Sequence, residues 1–460
     1  MTTQKKIAIV GAGLTGLTAA LDLCAVGHQV TLFEREREIG GLCRVVPTCR
    51  GKDFVERFYH HLFTSDIDAI SLFEELGIAS HLDWIPPRNA FYRHGLSHPF
   101  SGPIDLLTFK PLAPLRRLLM GLHILSTRLI RNWNALERET AASWVRRHTG
   151  KAVFDTVWGP LLSSKFGDES EHISAVWLAN KLKLRGSSRK SGAGGECLGY
   201  PRGGFGVLID SLVQRLSASR TTFHFSEPVE RILLNPRSPQ SKRESASDST
   251  GTFLVQTSLR TELFDEILCT ISPGSCADLM PEQPAETLTS WRSIRYQANL
   301  CLLLELDRSL SPFYWTSVAD RGFPFVAVIE HTNLLPVSRY DSHLVYVSRY
   351  LNPQDPLFSA PDDEVTRVFQ EGLGRLLPEF RNAVVRSHRL SRASHAQPVV
   401  TPGYSSRIPP LQTMIPGIWL ASMAQIFPED RGVNYAIRLG RNAAKAILSS
   451  SRENPDGNAL

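Results

Sequence analysis

Three glycines near the start of the 460-residue chain have the spacing of a phosphate-binding loop. Gly11, Gly13 and Gly16 lie in the run GAGLTG, directly after the apolar stretch KIAIV. In this pattern the first glycine permits a tight turn, the second lets backbone approach a pyrophosphate, and the third lets a helix pack closely on a strand. The pyrophosphate would lie at the N-terminus of that helix, where free N–H groups and the helix dipole favour negative charge. The other residues of the loop are Ala12, Leu14 and Thr15.

A single carboxylate closes the same unit. After the helix, the apolar run HQVTLFE predicts a second strand that ends at Glu34. A carboxylate at this distance from the glycines bonds the ribose hydroxyls of an adenine dinucleotide and repels a 2′-phosphate. Because strand, glycine loop, helix and acid occur in the expected order, the pattern predicts a bound dinucleotide other than NADP.

Three further side chains could contact a substrate. His60 and His61 are adjacent in FVERFYHHLFTSD, and an imidazole could hydrogen-bond a substrate or move a proton near neutral pH. If the segment is extended, only one of the two can face a pocket. Arg349, in the strand pattern YVSRYL, could bind a carboxylate or a phosphate. The alternatives are a satisfied core histidine and an outward-facing arginine on a half-exposed strand.

Composition limits the function classes. The net charge of +6 is too small for a nucleic-acid-binding protein, so we expect no nucleic-acid partner. Seven scattered cysteines without metal-ligand spacing fit a reduced compartment and predict no metal site. The N-terminus lacks signal-peptide features, and no apolar run is long enough to span a bilayer. These features predict a cytoplasmic protein, or one on the cytosolic face of a membrane.

One stretch leaves peripheral membrane contact open. Residues 111–133 place Leu115, Leu118, Leu119, Leu122 and Leu125 on one helical stripe, with several arginines nearby. A basic amphipathic helix of this kind can lie on anionic lipid. The alternative is a helix whose leucines pack on the core of its own domain.

The glycine unit continues into a longer motif. Residues 11–41, GAGLTGLTAALDLCAVGHQVTLFEREREIGG, include Arg35 after the closing acid and end at Gly40 and Gly41. This stretch resembles the N-terminal motif of the flavoprotein amine oxidase superfamily, which includes protoporphyrinogen oxidases and phytoene desaturases and is remotely similar to UDP-galactopyranose mutases. The resemblance implies FAD as the cofactor, with the glycine pair near its phosphates. Many members have arginine next, whereas this chain has Leu42, with Arg44 two residues further on.

Two later segments are similar to the same superfamily. GYPRGGFGVLIDSLVQRL (199–216) resembles the second crossing into the FAD domain, after which Val229 would meet the adenine through main chain. GIWLASMAQIFPEDRGVNYAIRLGRNAAKAI (417–447) resembles the C-terminal strand, loop and helix, whose start points N–H groups at the flavin. No cysteine matches a covalent attachment site, so we expect noncovalent FAD. The matching positions in the last segment are Asp430, Gly432, Val433 and Asn434.

The separated segments imply a discontinuous architecture. The expected fold class is α/β, with a Rossmann-type FAD-binding domain on a parallel sheet and an inserted α+β substrate domain. Residues 236–251 are polar and Pro/Ser-rich, which predicts a surface loop. The resemblance assigns the FAD-binding domain to 1–60, 200–290 and 400–448, the substrate domain to 61–199 (mainly helical) and 291–399 (antiparallel sheet), and a disordered tail to 449–460.

The resemblance also suggests the chemistry. A hydride would leave a C–H or C–N centre of a small-molecule substrate for flavin N5, and oxygen or another acceptor would reoxidise the flavin. The apolar substrate domain favours a hydrophobic substrate, such as a tetrapyrrole, an isoprenoid or another lipid, and an amine is a further candidate. Lys165 in PLLSSKFGDE could hold a water near N5, as a lysine does in some amine oxidases, or be a solvated lysine. The alternative function is a redox-neutral isomerase similar to UDP-galactopyranose mutase, in which Arg349 would hold a diphosphate.

Overall fold

The computed structural model describes residues 4–49, 53–187, 196–236 and 252–450. The predicted surface loop at 236–251 lies outside the described residues except for its first residue. The predicted tail at 449–460 lies outside them except for residues 449–450, which are helical.

The described residues form twenty β-strands. In chain order they are β1 (Lys6–Val10), β2 (Gln29–Phe33), β3 (Val45–Pro47), β4 (Phe54–Glu56), β5 (Leu62–Phe63), β6 (Leu82–Ile85), β7 (Asn89–Arg93), β8 (Leu96–Pro99), β9 (Leu198–Pro201), β10 (Thr221–His224), β11 (Val229–Leu234), β12 (Phe253–Thr257), β13 (Thr261–Phe264), β14 (Glu266–Cys269), β15 (Tyr296–Leu306), β16 (Trp315–Val318), β17 (Ala327–Glu330), β18 (His343–Leu351), β19 (Val385–Pro398) and β20 (Ile418–Leu420).

The same residues form fourteen α-helices. In chain order they are α1 (Leu14–Ala25), α2 (Ile67–Glu75), α3 (Pro103–Thr108), α4 (Pro114–Ser126), α5 (Ala141–Thr149), α6 (Lys151–Val153), α7 (Gly159–Phe166), α8 (Ala175–Ser187), α9 (Gly206–Ser217), α10 (Pro273–Leu279), α11 (Ala285–Arg292), α12 (Pro356–Ser359), α13 (Asp362–Leu376) and α14 (Val433–Ser450).

A five-stranded parallel sheet lies at the centre of the predicted cofactor domain. Its strand order is β10-β2-β1-β14-β20, and all four neighbouring pairs are parallel. Strands β1, β14 and β20 are largely or fully buried apolar runs, as expected for strands covered on both faces. The predicted Rossmann-type α/β fold is therefore confirmed. The domain boundaries given above stay a prediction.

A seven-stranded sheet forms the second layer. Its order is β19-β15-β18-β17-β16-β7-β8, and β15 is buried along its whole length. The pairs are antiparallel except that β16 runs parallel to β7, so this sheet is mixed rather than purely antiparallel. Strands β7 and β8 come from the segment that we expected to be mainly helical. They form a hairpin that extends the seven-stranded sheet beyond β16.

Close packing of α14 on α1 brings the two ends of the chain together. A Cβ on Gly440 would lie 2.4 Å from the carbonyl oxygen of Thr15, so only glycine permits this approach. The Thr15 hydroxyl donates to the carbonyl oxygen of Ala436 at 3.1 Å. The start of α14 therefore lies beside the glycine loop that precedes α1.

Four of the five stripe leucines of α4 face solvent rather than a core, and Leu119 is half-buried. Leu115, Leu118, Leu122 and Leu125 are between 51% and 65% exposed, so the interpretation of this stripe as core packing is wrong. The buried face of α4 instead presents Met120. None of the helices in the described part of the chain has the length and apolar content needed to cross a bilayer.

Candidate active site

A cavity of about 470 Å³ opens where the glycine loop, the second glycine pair and the start of α14 meet. It lies beyond the carboxyl ends of β1 and β2, where open α/β sheets bind their ligands. Twelve of the sixteen residues proposed from sequence to hold the cofactor line it: Gly11, Gly13, Leu14, Thr15, Glu34, Arg35, Gly40, Gly41, Leu42, Val229, Gly432 and Val433.

The glycine positions leave space that a side chain would fill. Gly11 has φ +103°, and a Cβ on Gly16 would lie 2.2 Å from the carbonyl oxygen of Gly11. A Cβ on Gly41 would lie 3.1 Å from Cα of Gly13. The two glycine segments therefore touch through bare backbone beside the N-terminus of α1, whose first N–H groups have no partner within the helix. This arrangement fits a pyrophosphate.

The predicted ribose ligand is fixed by backbone. Glu34 is 8% exposed, and its carboxylate accepts the N–H of Ala12 at 2.9 Å and that of Glu36 at 3.1 Å. Each carboxylate oxygen keeps a lone pair for a further donor. Ala12 therefore acts through Glu34 and does not itself line the cavity. The ribose hydroxyls of an adenine dinucleotide could donate to the remaining lone pairs of the Glu34 carboxylate.

Arg44 lies beside the second glycine pair. Its Nε donates to the carbonyl oxygen of Gly41 at 3.0 Å, and its guanidinium lies 3.1 Å from a carboxylate oxygen of Glu36. Arg44 lines the cavity together with Leu42. A basic side chain is therefore present beside the second glycine pair, two residues later in the sequence than the arginine of many proteins with this motif.

Two predicted residues at the start of α14 face away from the cavity lining. Asn434 is 2% exposed, and its Oδ1 accepts the N–H of Ala69 at 3.0 Å, which ties α14 to α2. Asp430 is paired with lysines behind the cavity. Gly432 and Val433 line the cavity at the N-terminus of α14, where the helix dipole favours negative charge.

The side chains of His60 and His61 lie in different surroundings. His60 lines the cavity, and its Nδ1 donates to the carbonyl oxygen of Phe58 at 2.6 Å, which leaves Nε2 as an acceptor. Burial, and then the charge of Arg431, lower the pKa of His60 to about 4, so the ring is neutral at pH 7. His61 instead joins an aromatic group, with Nδ1 3.2 Å from the hydroxyl of Tyr314.

The other two proposed catalytic side chains lie outside the cavity lining. Lys165 Nζ is 2.6 Å from a carboxylate oxygen of Asp430. Arg349 donates to the Asp355 carboxylate at 2.9 Å. An arginine already paired in this way offers less to a substrate diphosphate than the sequence suggested.

Aromatic rings form a wall beside the His60 segment. Tyr59 meets Trp315 edge-on, with ring centroids 5.0 Å apart, and Tyr346 at 6.1 Å. His61 packs edge-on against Tyr314 and Trp315 at 6.1 and 6.4 Å. We call these five residues the aromatic wall. Such a wall excludes water and can pack on an apolar molecule.

The buried carboxylate of Glu56 lies at the end of β4, four residues before His60. Glu56 is fully buried; it accepts the N–H of Phe205 at 2.6 Å and the hydroxyl of Tyr200 at 2.8 Å. Burial raises the pKa of Glu56 to about 7, and these hydrogen bonds only partly oppose the rise. The acid therefore titrates within the physiological range.

Several lining residues escaped the sequence reasoning. Arg431 lies between two predicted positions, yet nothing in the local pattern showed that its side chain would turn into the cavity. Hydroxyl groups could have been found by noting that the residues after β14 meet the same sheet edge as the glycine loop. The other unpredicted lining residues include Thr270, Ser272, Ser275, Tyr296, His395 and Ser422.

The parallel sheet, the glycine loop with its closing acid and the lined cavity define a dinucleotide-binding protein of the Rossmann class. The chain belongs to the flavin-containing amine oxidoreductase family, whose model matches residues 14–448. The predicted family, its oxidoreductase class and its cofactor FAD are thereby confirmed. The residues in the cavity fit that cofactor.

Curated relatives match part of the chain. The "Probable zeta-carotene desaturase" of Synechococcus elongatus is 27% identical over 249 residues, covering 49% of this chain and 51% of that protein. Mitochondrial protoporphyrinogen oxidase of Nicotiana tabacum is 28% identical over 181 residues, covering 37% and 34%. The chain thus spans about half the length of the first and a third of the second. Among solved structures, cyclohexylamine oxidase from Brevibacterium oxydans aligns with a TM-score of 0.72 at 15% identity, covering 98% and 100%.

Proposed function

We propose that the protein removes a hydride from a C–H or C–N centre of a hydrophobic small molecule. Bound FAD supplies the chemistry by accepting the hydride at N5 and passing electrons to oxygen or another acceptor. Candidate substrate classes are a tetrapyrrole, an isoprenoid or other lipid, and an amine. The observation that supports the proposal most is the cavity lined by family FAD positions, whose lining residue His60 is flanked in the chain by Tyr59 and His61 of the aromatic wall.

The chain's own residues position the reactants. The glycine loop and Glu34 hold the adenine dinucleotide end, and Gly432 and Val433 present backbone N–H groups at the opposite end. Tyr59, His61 and Trp315, the partly exposed members of the aromatic wall, would pack against an apolar substrate, and the buried Tyr314 and Tyr346 hold them in place. His60, neutral and with Nε2 as its acceptor nitrogen, accepts a hydrogen bond from the substrate.

We propose further that FAD is held without a covalent bond. Cys43 is the one cysteine in the cavity lining of the described residues. Burial, and then the charge of Glu56, raise the pKa of its thiol, so the nucleophilic thiolate is scarce at neutral pH.

Anaerobic reduction tests the proposed reaction. The purified yellow protein is mixed without oxygen with protoporphyrinogen, zeta-carotene or cyclohexylamine in separate cuvettes. We expect one donor to bleach the flavin band and to form a stoichiometric amount of its oxidised product. A protein that keeps its flavin but is bleached by none of the three would contradict the proposal for these classes.

The same cuvettes test the redox-neutral alternative. Chemically reduced protein is supplied with UDP-galactopyranose, and the ring-contracted isomer is sought by chromatography. We expect none, because Arg349, the candidate for holding the diphosphate, is paired with Asp355. Turnover here, without bleaching by the hydride donors, would replace the oxidoreductase proposal by an isomerase.

We also propose that the protein rests on an anionic lipid surface. Seven large apolar side chains on α3, α4 and the turn after them are between 51% and 81% exposed. Between residues 100 and 136 the chain has five Lys or Arg and a single acid, Asp105. Apolar insertion and attraction to anionic headgroups therefore act together. The seven residues, which we call the leucine surface, are Ile104, Leu107, Leu115, Leu118, Leu122, Leu125 and Leu129.

Vesicle sedimentation tests this surface. Replacing Leu118 and Leu122 by glutamate should lower binding to phosphatidylserine-containing vesicles at least tenfold, because two inserted side chains are lost and two like charges are added. Leu96→Glu and Leu259→Glu, at equally exposed leucines outside α3 and α4, form the control pair. Equal loss in both pairs, or equal binding to uncharged vesicles, would argue against a specific lipid-facing surface.

A further inference from the structure

A charged group lies where α7 and α8 meet the loop before α14. Lys165 Nζ is 2.6 Å and Lys181 Nζ 2.7 Å from the same carboxylate oxygen of Asp430. The other oxygen of Asp430 accepts from Trp177 Nε1 at 3.3 Å. We call Lys165, Lys181, Arg431 and Asp430 the cationic cluster.

The cluster has more cations than acids. It contains three basic side chains and one carboxylate, and Asp430 is the single acid paired with the two lysines among the described residues. Glu429, the acid immediately before Asp430 in the sequence, is 3.5 Å from Arg438 and so has its own partner. Surplus cations that are shielded from water are costly unless another anion joins them.

Arg431 links the cluster to the cofactor cavity. Its guanidinium donates to the hydroxyl of Tyr350 at 2.5 Å and the residue lines the cavity. Its Nε is buried and has no hydrogen-bond partner. A buried N–H without an acceptor is rare in a folded protein and points to a group that the bound state supplies.

The protonation of the lysine fits the same conclusion. Burial lowers the pKa of Lys165 well below its ordinary value, the charges of Lys181 and Arg431 add to this, and Asp430 opposes it. A second anion beside Lys165 would favour its charged form. Asp430 itself stays ionised, because the three cations reverse the effect of its burial on the pKa.

A ligand can reach this cluster. The side chains of Lys165, Lys181 and Asp430 are 17%, 30% and 18% exposed, so the cluster is sheltered but open to solvent. Aromatic rings flank it: the Lys165 ammonium lies 4.9 Å from the ring centroid of Trp177 and 5.9 Å from that of Tyr350. The surroundings therefore suit a molecule with one anionic end and an apolar body.

We propose that the cationic cluster binds an oxyanion group, a carboxylate or a phosphate, at one end of the substrate. The apolar part of that substrate would lie against Trp177, Tyr350 and the aromatic wall. This inference deepens the proposed function and rests on it only in naming the ligand a substrate. The sequence could not indicate this, since Lys165 and Asp430 are 265 positions apart.

Ligand-induced shifts of the oxidised flavin spectrum test the inference without turnover. The holoprotein is titrated with decanoate, decyl phosphate and decanol, which share one apolar chain. We expect decanoate or decyl phosphate to bind at least tenfold more tightly than decanol, because charge-assisted hydrogen bonds form only with the anions. Comparing the two anions identifies which oxyanion the cluster prefers.

A matched pair of lysine variants locates the effect. Lys181→Met should weaken anion binding at least tenfold and leave decanol binding unchanged. The control is Lys183→Met on the same helix, because Lys183 donates to the carbonyl oxygen of Ile130 at 3.1 Å and lies outside the cluster. We expect its anion affinity to equal that of the wild type.

The outcomes separate this inference from the proposed reaction. Equal affinity of the wild-type protein for anions and decanol would overturn the anion site, even if a neutral donor bleaches the flavin. Anion-selective binding that Lys181→Met removes would support the site, even if none of the hydride donors reacts. If Lys181→Met fails to fold, Lys181→Gln takes its place with the same expected loss of anion binding.

Discussion

The variant Gly13→Val should purify as a folded protein that contains no FAD. Gly13 has φ −77° and ψ 177°, a conformation open to any residue. A Cβ there would meet Cα of Gly41 at 3.8 Å, ordinary van der Waals contact. The side chain would therefore occupy space in the cavity rather than space in the core, and it would keep the pyrophosphate from the N-terminus of α1.

We expect the affinity of Gly13→Val for FAD to fall at least about 100-fold, which corresponds to about 3 kcal/mol. Isothermal titration of FAD into deflavinated protein measures this, and circular dichroism checks the fold. Gly102→Val is the control, because no atom lies within 4 Å of a Cβ at that position, on a different helix start. Normal FAD binding by Gly13→Val would mean that the pyrophosphate does not lie on the glycine loop.

The variant Glu56→Gln should be more stable than the wild type at pH 8 and equally stable at pH 4. Burial raises the pKa of Glu56 from 4.5 to about 7, so the folded protein holds this proton more tightly than the unfolded chain does. The contribution of Glu56 to stability is therefore greatest below pH 4.5, falls as pH rises to about 7, and is then constant. The full loss is about 3 kcal/mol.

Glutamine imitates the protonated acid. Its amide oxygen can accept from the Phe205 N–H, and its amino group can donate to the Tyr200 hydroxyl oxygen. Urea unfolding at fixed excess FAD, repeated at several pH values, measures the difference between the two proteins. Glu74→Gln on the exposed face of α2 should show no such dependence. A Glu56→Gln protein destabilised equally at pH 4 and pH 8 would show that the ionised carboxylate is the form the fold requires.

The cofactor half of the site was predictable because its signals are local. The glycine loop and Glu34 fall within 24 residues of contiguous sequence; Gly11 and Gly16 answer steric needs within the protein, and Gly13 leaves room in the cavity for the ligand. Gly432 and Val433 could be placed only through the family resemblance. A helix start has no comparable signature of its own when Ser, Thr, Asp and Asn are missing at the cap.

The substrate half was not predictable because its contacts are remote in sequence. Lys165 was singled out as a single residue, whereas its surroundings come from α8 and from the loop before α14. The leucine surface shows a second limit. Periodicity identified the apolar stripe on α4, but periodicity does not indicate whether a neighbour covers the stripe.

The order of strands in the parallel sheet has a consequence for synthesis of the protein on the ribosome. β1 pairs with β14, some 260 residues later, and β14 pairs with β20, a further 150 residues on. Strands so far apart in sequence pair slowly, and each pair can form only after its later strand has left the ribosomal exit tunnel. Because α14 completes the cavity, a growing chain has no finished cofactor site until α14 has been synthesised. Insertion of FAD into a complete site therefore follows the synthesis of α14 and the pairing of β20 with β14.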